Sequence, residues 1–283
     1  MRALILGTGN MGRAIAAALE ARGDEVVAML GRRGAGGADR PDPRRPPPVD
    51  VAFEFSHASA LLVNVDEALA AGCRSLVIGT TGWASDPSTV VRLEHRLLES
   101  RATAIVAPTF SLGAVLFAEL AVEAGRLLGR FPDYDPYVLE WHGRTKADRP
   151  SGTALAIAER LLPHLASKRR ARLADGSGAP ERDTLEVVAL RAGASPGMHL
   201  VGFDAPGESI ELRITARDRS AYVAGALMAA DHLMAGGPHA PGIRAFDALV
   251  REMVSTKRTP SPAALGSEAE PRLPHADPMT AVA

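Results

Sequence analysis

The chain has 283 residues, 46% of them hydrophobic and 23% charged, and its 32 basic and 33 acidic side chains give a formal net charge of −1. This composition is typical of a globular protein of one or two domains, and the balanced charge argues against a nucleic-acid-binding protein. Cys73 is the single cysteine, which excludes a disulfide framework and a cysteine-based zinc site. No apolar run in the sequence reaches the ~20 residues of a membrane-spanning helix. We therefore expect a cytoplasmic protein that binds no metal, no membrane and no nucleic acid.

The first third of the chain alternates short apolar runs with amphipathic stretches. The strands predicted by this pattern are residues 3–6, 25–30, 51–55, 76–78 and 104–107, and the helices are 11–21, one ending near 71, and one near 90–100. Strands that alternate with helices of this length form βαβ units and a parallel sheet, which predicts an α/β fold. Residues 34–50 are rich in Gly, Pro, Asp and Arg, and they predict a surface loop.

From about residue 113 the pattern changes to that of a second, α+β unit. It predicts helices at residues 113–128 and 154–165, strands at 137–141, 185–191, 198–203 and 209–215, and two terminal helices near 222–234 and 243–254. Residues 255–283 are rich in Pro, Ala and charged side chains and lack periodicity, which predicts a disordered tail.

A glycine motif of the form GxGxxG follows the first predicted strand and opens the first predicted helix. Its residues are Gly7, Thr8, Gly9, Asn10, Met11 and Gly12. The first glycine permits a tight turn, the second lets the backbone approach a pyrophosphate, and the helix N-terminus meets the phosphate charge. The motif predicts dinucleotide binding, and the alternative interpretation is a purely structural glycine-rich turn without a ligand.

The end of the second predicted strand indicates which dinucleotide binds. An acidic residue that would hold the adenosine ribose is expected there, but the chain has Gly31, Arg32 and Arg33. Guanidinium groups bind phosphate in a bidentate manner, so Arg32 predicts NADPH as the cofactor, with NADH as the alternative. An arginine-rich loop that faces solvent would explain the same residues.

Two polar loops follow the fourth and fifth predicted strands. The first contains Gly79, Thr80 and Thr81, and the second contains Ala107, Pro108, Thr109 and Phe110. Open α/β sheets bind ligands at the carboxyl ends of their strands. Either loop alone would be ordinary, but together with the glycine motif they are predicted to line the nicotinamide.

The segment after residue 140 contains the clearest candidates for catalytic and substrate-binding residues. Only three of the 32 basic residues are lysines, so Lys146 stands where arginine is the default. Lysine can donate a proton near neutral pH and arginine cannot. His142 precedes it, and the Ser-Gly-Thr of 151–153 opens a helix whose N–H groups could bind a carboxylate. Helix capping by the Ser and Thr residues and a purely structural role for His142 are alternative interpretations. The segment nevertheless predicts a proton donor for an acidic substrate.

The order of these motifs resembles that of the dihydrodipicolinate reductase (4-hydroxy-tetrahydrodipicolinate reductase) family, over residues 1 to about 254. The matching segments are GTGNMGR at 7–13, EFS at 54–56, GTTG at 79–82, FSLG at 110–113 and E-x-H-x-R-x-K-x-D-x-P-S-G-T at 140–153. The resemblance implies a nicotinamide-dependent reductase of lysine and diaminopimelate synthesis. Its substrate would be a cyclic unsaturated dicarboxylate, which is reduced to tetrahydrodipicolinate.

The resemblance also implies an architecture and roles for individual residues. A Rossmann-type cofactor domain would comprise residues 1–113 plus about 216–254, and a mixed-sheet substrate-binding and oligomerisation domain would comprise 114–215. The family's homotetramer is expected. The proton-donor histidine falls on His142 and the catalytic lysine on Lys146. The substrate-carboxylate loop falls on Ser151, Gly152 and Thr153, and the cofactor contacts fall on residues 7–12, 79–81 and 107–110.

One departure from the family pattern keeps alternatives open. The family has two adjacent histidines, the second of which contacts substrate, and this chain has Gly143 in the second position. A related reductase that acts on a different imine or amino-acid-derived substrate is therefore an alternative. A non-catalytic, cofactor-binding paralogue is a second one, against which the intact His142 and Lys146 argue.

Overall fold

The computed structural model describes residues 1–31, 48–176, 178–235 and 239–255. Its strands are β1 (Arg2–Leu6), β2 (Glu25–Leu30), β3 (Val51–Glu54), β4 (Ser75–Ile78), β5 (Thr103–Val106), β6 (Asp135–His142), β7 (Arg170–Leu173), β8 (Thr184–Arg191), β9 (Met198–Ala205), β10 (Glu208–Thr215) and β11 (Gly242–Ala245). Its α-helices are α1 (Asn10–Ala21), α2 (Leu61–Ala70), α3 (Pro87–Glu99), α4 (Leu112–Leu128), α5 (Gly152–Leu161), α6 (Ser220–Met234) and α7 (Phe246–Ser255). None of the helices in these ranges is long and apolar enough to cross a membrane.

In the described part of the chain, the first sheet has six parallel strands in the order β11-β5-β4-β3-β1-β2. Successive side chains of β1 point to opposite faces, as the strand geometry requires. Ala3 and Ile5 pack into one apolar cluster with α1, α6 and α7. Leu4 and Leu6 pack into a second cluster with α2 and α3. Helices therefore cover both faces of the sheet, which explains why its strands are almost entirely apolar.

The second sheet has five strands among the described residues, in the order β10-β9-β6-β8-β7. β6 and β7 run parallel to β8, whereas β9 runs antiparallel to β6 and to β10. Residues of α4 and α5 form a third apolar cluster with one face of this sheet. The predicted α/β fold, with a Rossmann-type parallel sheet and a second mixed sheet, is confirmed.

Two strands differ from the sequence prediction. Residues 243–245 were expected at the start of a helix, but they form β11, and the helix begins only at Phe246. β11 is recruited as an edge strand because it pairs in parallel with β5, and the Ile243 N–H donates to Glu94 Oε2 at 2.8 Å. β7 was not predicted because Arg170–Leu173 carries two arginines and little apolar periodicity. β11 pairs with β5 and β7 pairs with β8, and neither partner is adjacent in sequence, so local patterns do not reveal these strands.

Candidate active site

The predicted catalytic histidine lies at the carboxyl end of β6, the central strand of the mixed sheet. Alternate β6 residues are buried, and Glu140 and His142 belong to this buried, helix-covered face. The strand register places His199 of β9 opposite Glu140, and Arg191 of β8 opposite His142. Three neighbouring strands thus bring one carboxylate, two imidazoles and one guanidinium together.

Glu140 is fully buried and forms the centre of this cluster. Its Oε1 accepts hydrogen bonds from the Ser151 N–H and from Arg191 Nη2, both at 2.8 Å. Burial alone would raise the pKa of the Glu140 carboxyl group. The hydrogen bonds from Ser151 and Arg191 outweigh burial and lower that pKa, so the group is an anion near neutral pH.

The two histidines share the other oxygen of Glu140. His142 Nδ1 lies 3.1 Å from Glu140 Oε2, and His199 Nε2 lies 3.6 Å from the same oxygen. The two rings meet edge to face with centroids 5.2 Å apart. Burial lowers the pKa of His142, against the opposing effect of the Glu140 charge, and burial together with His142 lowers the pKa of His199 to about 4. Both imidazoles are therefore mainly neutral at pH 7.

Lys146 lies in the loop that follows β6. Its N–H donates to the Gly143 carbonyl at 3.1 Å, and its Nζ lies 2.8 Å from Asp148 Oδ1. The hydrogen bond from Lys146 lowers the pKa of Asp148. Arg191 Nη2 also donates to the Asp148 carbonyl, so the same guanidinium holds both Glu140 and this loop.

The loop ends in the predicted carboxylate-binding segment at the start of α5. Ser151 is the N-cap, and its Oγ accepts from the Ala154 N–H at 3.2 Å and lies 3.3 Å from His199 Nε2. Gly152 and Thr153 occupy the first turn of α5, where backbone N–H groups have no intrahelical acceptor. Together with the helix dipole, these groups can bind an anion.

A cavity of about 740 Å³ joins these residues to the parallel sheet. From the mixed-sheet side it is lined by His142, Lys146, Ser151, Gly152, Thr153 and His199. From the parallel-sheet side it is lined by Thr81, Pro108 and Thr109. The structure therefore brings the two loops predicted to contact nicotinamide to the same cleft as the predicted proton donors.

A neighbouring cavity of about 1,020 Å³ extends from His142 and Lys146 to the glycine motif. Asn10 and Arg13 line it from α1, and Arg217 and Arg219 line it from the segment before α6. Basic side chains around a helix N-terminus are suited to a diphosphate.

The glycine motif has the geometry that a dinucleotide requires. Gly7 has a φ of +127°, and a Cβ on Gly12 would lie 1.9 Å from the Gly7 carbonyl oxygen. A Cβ on Gly9 would meet nothing within 4 Å, and α1 has no side-chain cap at Gly9. The turn is tight at Gly7 and Gly12 but open at Gly9, so the residues present fit a pyrophosphate over the start of α1.

Other residues predicted to contact the cofactor form hydrogen bonds or packing contacts within the protein. The Thr80 hydroxyl accepts from the Ser56 N–H at 2.7 Å, and Thr80 is buried. A Cβ on Gly79 would lie 2.1 Å from the Phe55 ring, so the ring packs directly on that backbone. Ala107 and Phe110 are buried in the first apolar cluster. The NADPH prediction concerns Arg32, which lies outside the described residues.

Gly143, which occupies the position of the family's second histidine, is buried. The Gly143 N–H donates to the Ser195 carbonyl at 2.8 Å, and a Cβ on Gly143 would lie 3.3 Å from that oxygen. Gly197, at a φ of +145°, packs against the His142 ring, since a Cβ there would lie 3.0 Å from Nε2. The turn of residues 193–197 thus encloses His142 and occupies the space beside Gly143.

Glu140, Arg191 and His199 are not among the site residues predicted from the sequence. Ligand atoms of Glu140, His142 and His199 lie within 4.8 Å of one another, a spacing that one metal ion could occupy. However, Arg191 already neutralises the Glu140 carboxylate, and a neutral cluster attracts a cation weakly. The geometry therefore favours a proton-sharing cluster.

Most of the chain matches a known protein family. The family models described as dihydrodipicolinate reductase, N-terminus and C-terminus, match residues 1–110 and 113–247. The 4-hydroxy-tetrahydrodipicolinate reductase of Methanopyrus kandleri is 37% identical over 190 residues, covering 67% of this chain and 68% of the relative. That of Methanosarcina mazei is 33% identical over 199 residues, covering 70% and 72%.

A solved structure shares the fold. The dipicolinate-bound dihydrodipicolinate reductase from Paenisporosarcina sp. TG-14 aligns with a TM-score of 0.64 at 21% identity, over 87% of this chain and 97% of that one. The predicted pyridine-nucleotide-dependent reductase is confirmed by the sequence matches. Both family models and the curated relatives show that this chain belongs to the dihydrodipicolinate reductase family.

Proposed function

We propose that the chain reduces 4-hydroxy-tetrahydrodipicolinate to tetrahydrodipicolinate with NADPH, in lysine and diaminopimelate biosynthesis. The observation that carries this proposal is the 740 Å³ cavity, in which His142, Lys146 and the start of α5 face Thr81 and Thr109. A proton donor and an anion-binding helix start lie across one cleft from the loops at the ends of the parallel strands. This arrangement suits hydride and proton addition to an acidic ring.

Loss of the 4-hydroxyl group of the substrate as water would leave a conjugated imine, and the reduced nicotinamide, when bound, would supply a hydride to one of its carbons. The glycine motif and the cationic wall of Arg13, Arg217 and Arg219 would hold the diphosphate. Thr81 and Thr109 would border the nicotinamide on the parallel-sheet side. NADPH is the proposed cofactor because Arg32 replaces the carboxylate expected at the ribose.

The substrate anion and the proton are assigned to the mixed-sheet side. Gly152 and Thr153 would bind one carboxylate through their N–H groups. The reduced ring needs one proton, which His142 would donate, and Lys146 would assist with a hydrogen bond or a proton. His142 is protonated more readily when an anion is bound nearby, since each negative charge raises its pKa.

The organisation of the chain supports three further parts of the proposal. Residues 1–113 plus about 216–254 are proposed as the cofactor domain and 114–215 as the substrate domain, because the strands divide between the two sheets at these positions. A homotetramer is proposed because one face of the mixed sheet is packed by α4 and α5, whereas the other face carries the exposed Leu190 opposite Trp141. The enzyme is proposed to be cytoplasmic, since its one cysteine is a buried thiol.

The test is NADPH oxidation with the lysine-pathway intermediate generated in the cuvette by the preceding enzyme. We expect turnover that depends on both NADPH and the intermediate. Tight NADPH binding without turnover would favour the second candidate, a related reductase for a different imine, which Gly143 motivates. Failure to bind NADPH or NADH would contradict both.

A further inference from the structure

We infer that Glu140 is a positioning residue that couples the substrate-anchoring loop to the protonation of His142. The inference rests on the proposed function for the roles of His142 and the 151–153 loop. Its structural basis is that the two oxygens of one fully buried carboxylate have different partners. One oxygen holds the loop, and the other faces the proposed proton donor.

The loop-holding oxygen is Oε1. It accepts from the Ser151 N–H and from Arg191 Nη2, each at 2.8 Å. Ser151 immediately precedes Gly152 and Thr153, the residues proposed to bind the carboxylate. Arg191 has a side chain only 9% exposed and also donates to the Asp148 carbonyl. Any displacement of the loop by a bound anion is therefore transmitted to the Glu140 carboxylate.

The donor-facing oxygen is Oε2. It lies 3.1 Å from His142 Nδ1, yet neither atom has an aligned hydrogen bond among the described residues, and both are buried from solvent. Catalytic hydrogen bonds are often misaligned without substrate and tighten in the complex. A small rotation of the carboxylate would align this pair, fix the proton on Nδ1 and stabilise the imidazolium.

The charges around His142 come from several elements. Glu140 and Asp148 favour its protonated form, whereas burial, Lys146 and Arg191 oppose it. His199, whose Nε2 lies between Glu140 Oε2 and Ser151 Oγ, links the same two residues by a second route. The Glu140 carboxylate lies 3.1 Å from His142 Nδ1, so its removal should disfavour protonation of His142.

The experiment compares Glu140→Gln with the unmodified full-length chain. The amide oxygen can still accept from Ser151 and Arg191, whereas the amide nitrogen faces Nδ1 and disfavours a proton there. We expect kcat to fall by roughly 10²-fold, because loss of a histidine-orienting carboxylate costs up to ~10⁴-fold in a related arrangement. The affinity for dipicolinate, a pyridine dicarboxylate used as the probe, should change little. The alkaline limb of the pH–kcat profile should move to lower pH.

A matched control is Glu186→Gln on β8. Glu186 lies in the same sheet but pairs with Tyr137 on the face away from His142. It should leave kcat and the pH profile unchanged. A Glu140→Gln enzyme with reduced dipicolinate affinity but an unchanged kcat and pH profile would overturn the coupling, because Glu140 would then only support the loop.

A second measurement does not depend on turnover or on the folding of Glu140→Gln. Ring ¹⁵N shifts of His142 in the unmodified protein, assigned with His142→Gln, report its tautomer. We expect Nδ1–H in the free protein and increased protonation on addition of dipicolinate. A ring protonated only at Nε2 in both states would overturn the inference. Absence of reductase activity with the expected shifts would contradict the proposed function alone.

Discussion

Glu140 and His199 lie directly opposite each other on the antiparallel strands β6 and β9, with Glu140 Oε2 and His199 Nε2 3.6 Å apart. This pairing places a second imidazole beside the carboxylate that already faces His142. The His199 side chain is only 12% exposed, and its burial, with His142 nearby, lowers its pKa to about 4. A neutral, buried histidine has consequences for stability in mild acid.

Folding stability should therefore fall between pH 7 and pH 5 partly because of His199. The unfolded histidine, with a pKa near 6.5, binds a proton in this range, whereas the folded one does not until about pH 4. The contribution is fully present above about pH 6.5 and declines as pH falls. Between pH 7 and pH 5 it amounts to about 2 kcal/mol.

Urea unfolding of His199→Gln at both pH values checks this prediction. The variant should lose about 2 kcal/mol less than the unmodified protein on acidification, in line with the same linkage. His95→Gln, which removes an exposed histidine of α3, controls for loss of any imidazole. Equal acid sensitivity of the unmodified protein and His199→Gln would show that His199 is protonated in the folded state.

The sequence predicted the parallel sheet and the segments that line the cavity because these depend on local patterns. Strands β1 to β5 are short apolar runs between amphipathic helices, and His142, Lys146 and Ser151 lie within one loop and its flanks. Arg191 and His199 could not be placed, because they reach Glu140 only through the register of separate strands. Strand alternation does put Glu140 and His142 on one face, a signal that could have linked this pair.

Lys146→Ala should reduce turnover by ~10²–10⁴-fold, the usual effect of losing a proton donor. Lys146 is a third exposed and paired with Asp148 at 2.8 Å, so its loss should cost little stability. NADPH affinity should hardly change, because Lys146 lies on the mixed-sheet side of the cleft. Steady-state kinetics and NADPH titration measure the two effects separately.

Lys168→Met provides the control for Lys146. Lys168 is buried, donates to the Arg182 carbonyl at 2.9 Å and pairs with Asp135. This lysine supports the fold away from the cleft, so the variant should lose thermal stability and retain turnover. Near-normal turnover of Lys146→Ala would remove Lys146 from the mechanism.

The cofactor preference should reverse when Arg32 is replaced by Asp. The substitution would remove the guanidinium expected to bind the 2′-phosphate of NADPH. The new carboxylate would suit the ribose 2′-hydroxyl of NADH. A charge-assisted hydrogen bond contributes ~1.5–3 kcal/mol, so NADPH affinity should fall roughly ten- to a hundredfold. Fluorescence titration with both cofactors checks this, with Arg101→Asp, on the loop between α3 and β5, as the control for loss of positive charge. Equal affinities in the unmodified protein would show that Arg32 does not select the cofactor.

Gly143→His tests the departure from the family pattern. A Cβ at residue 143 would lie 3.3 Å from the Ser195 carbonyl oxygen, so the 193–195 turn must yield by a few tenths of an ångström. Crowding of this kind costs ~1–3 kcal/mol of stability. If the substrate is the expected dicarboxylate, another cation must take the place of the missing imidazole, and Arg144 and Arg149 lie in the same loop. We therefore expect activity similar to that of the unmodified protein, or modestly improved.

Gly143→Ala separates crowding from the effect of the imidazole, because both variants introduce the same Cβ. Kinetics with the lysine-pathway intermediate should give similar kcat/KM for the unmodified protein and for Gly143→Ala. An active Gly143→Ala beside an inactive Gly143→His would show that the imidazole, and not the added Cβ, obstructs the reaction. Loss of activity in both would locate the effect in the strained turn around Ser195, which also encloses His142. If neither the unmodified protein nor Gly143→His turns over the intermediate, although both bind NADPH tightly, the related-reductase alternative replaces the proposed substrate.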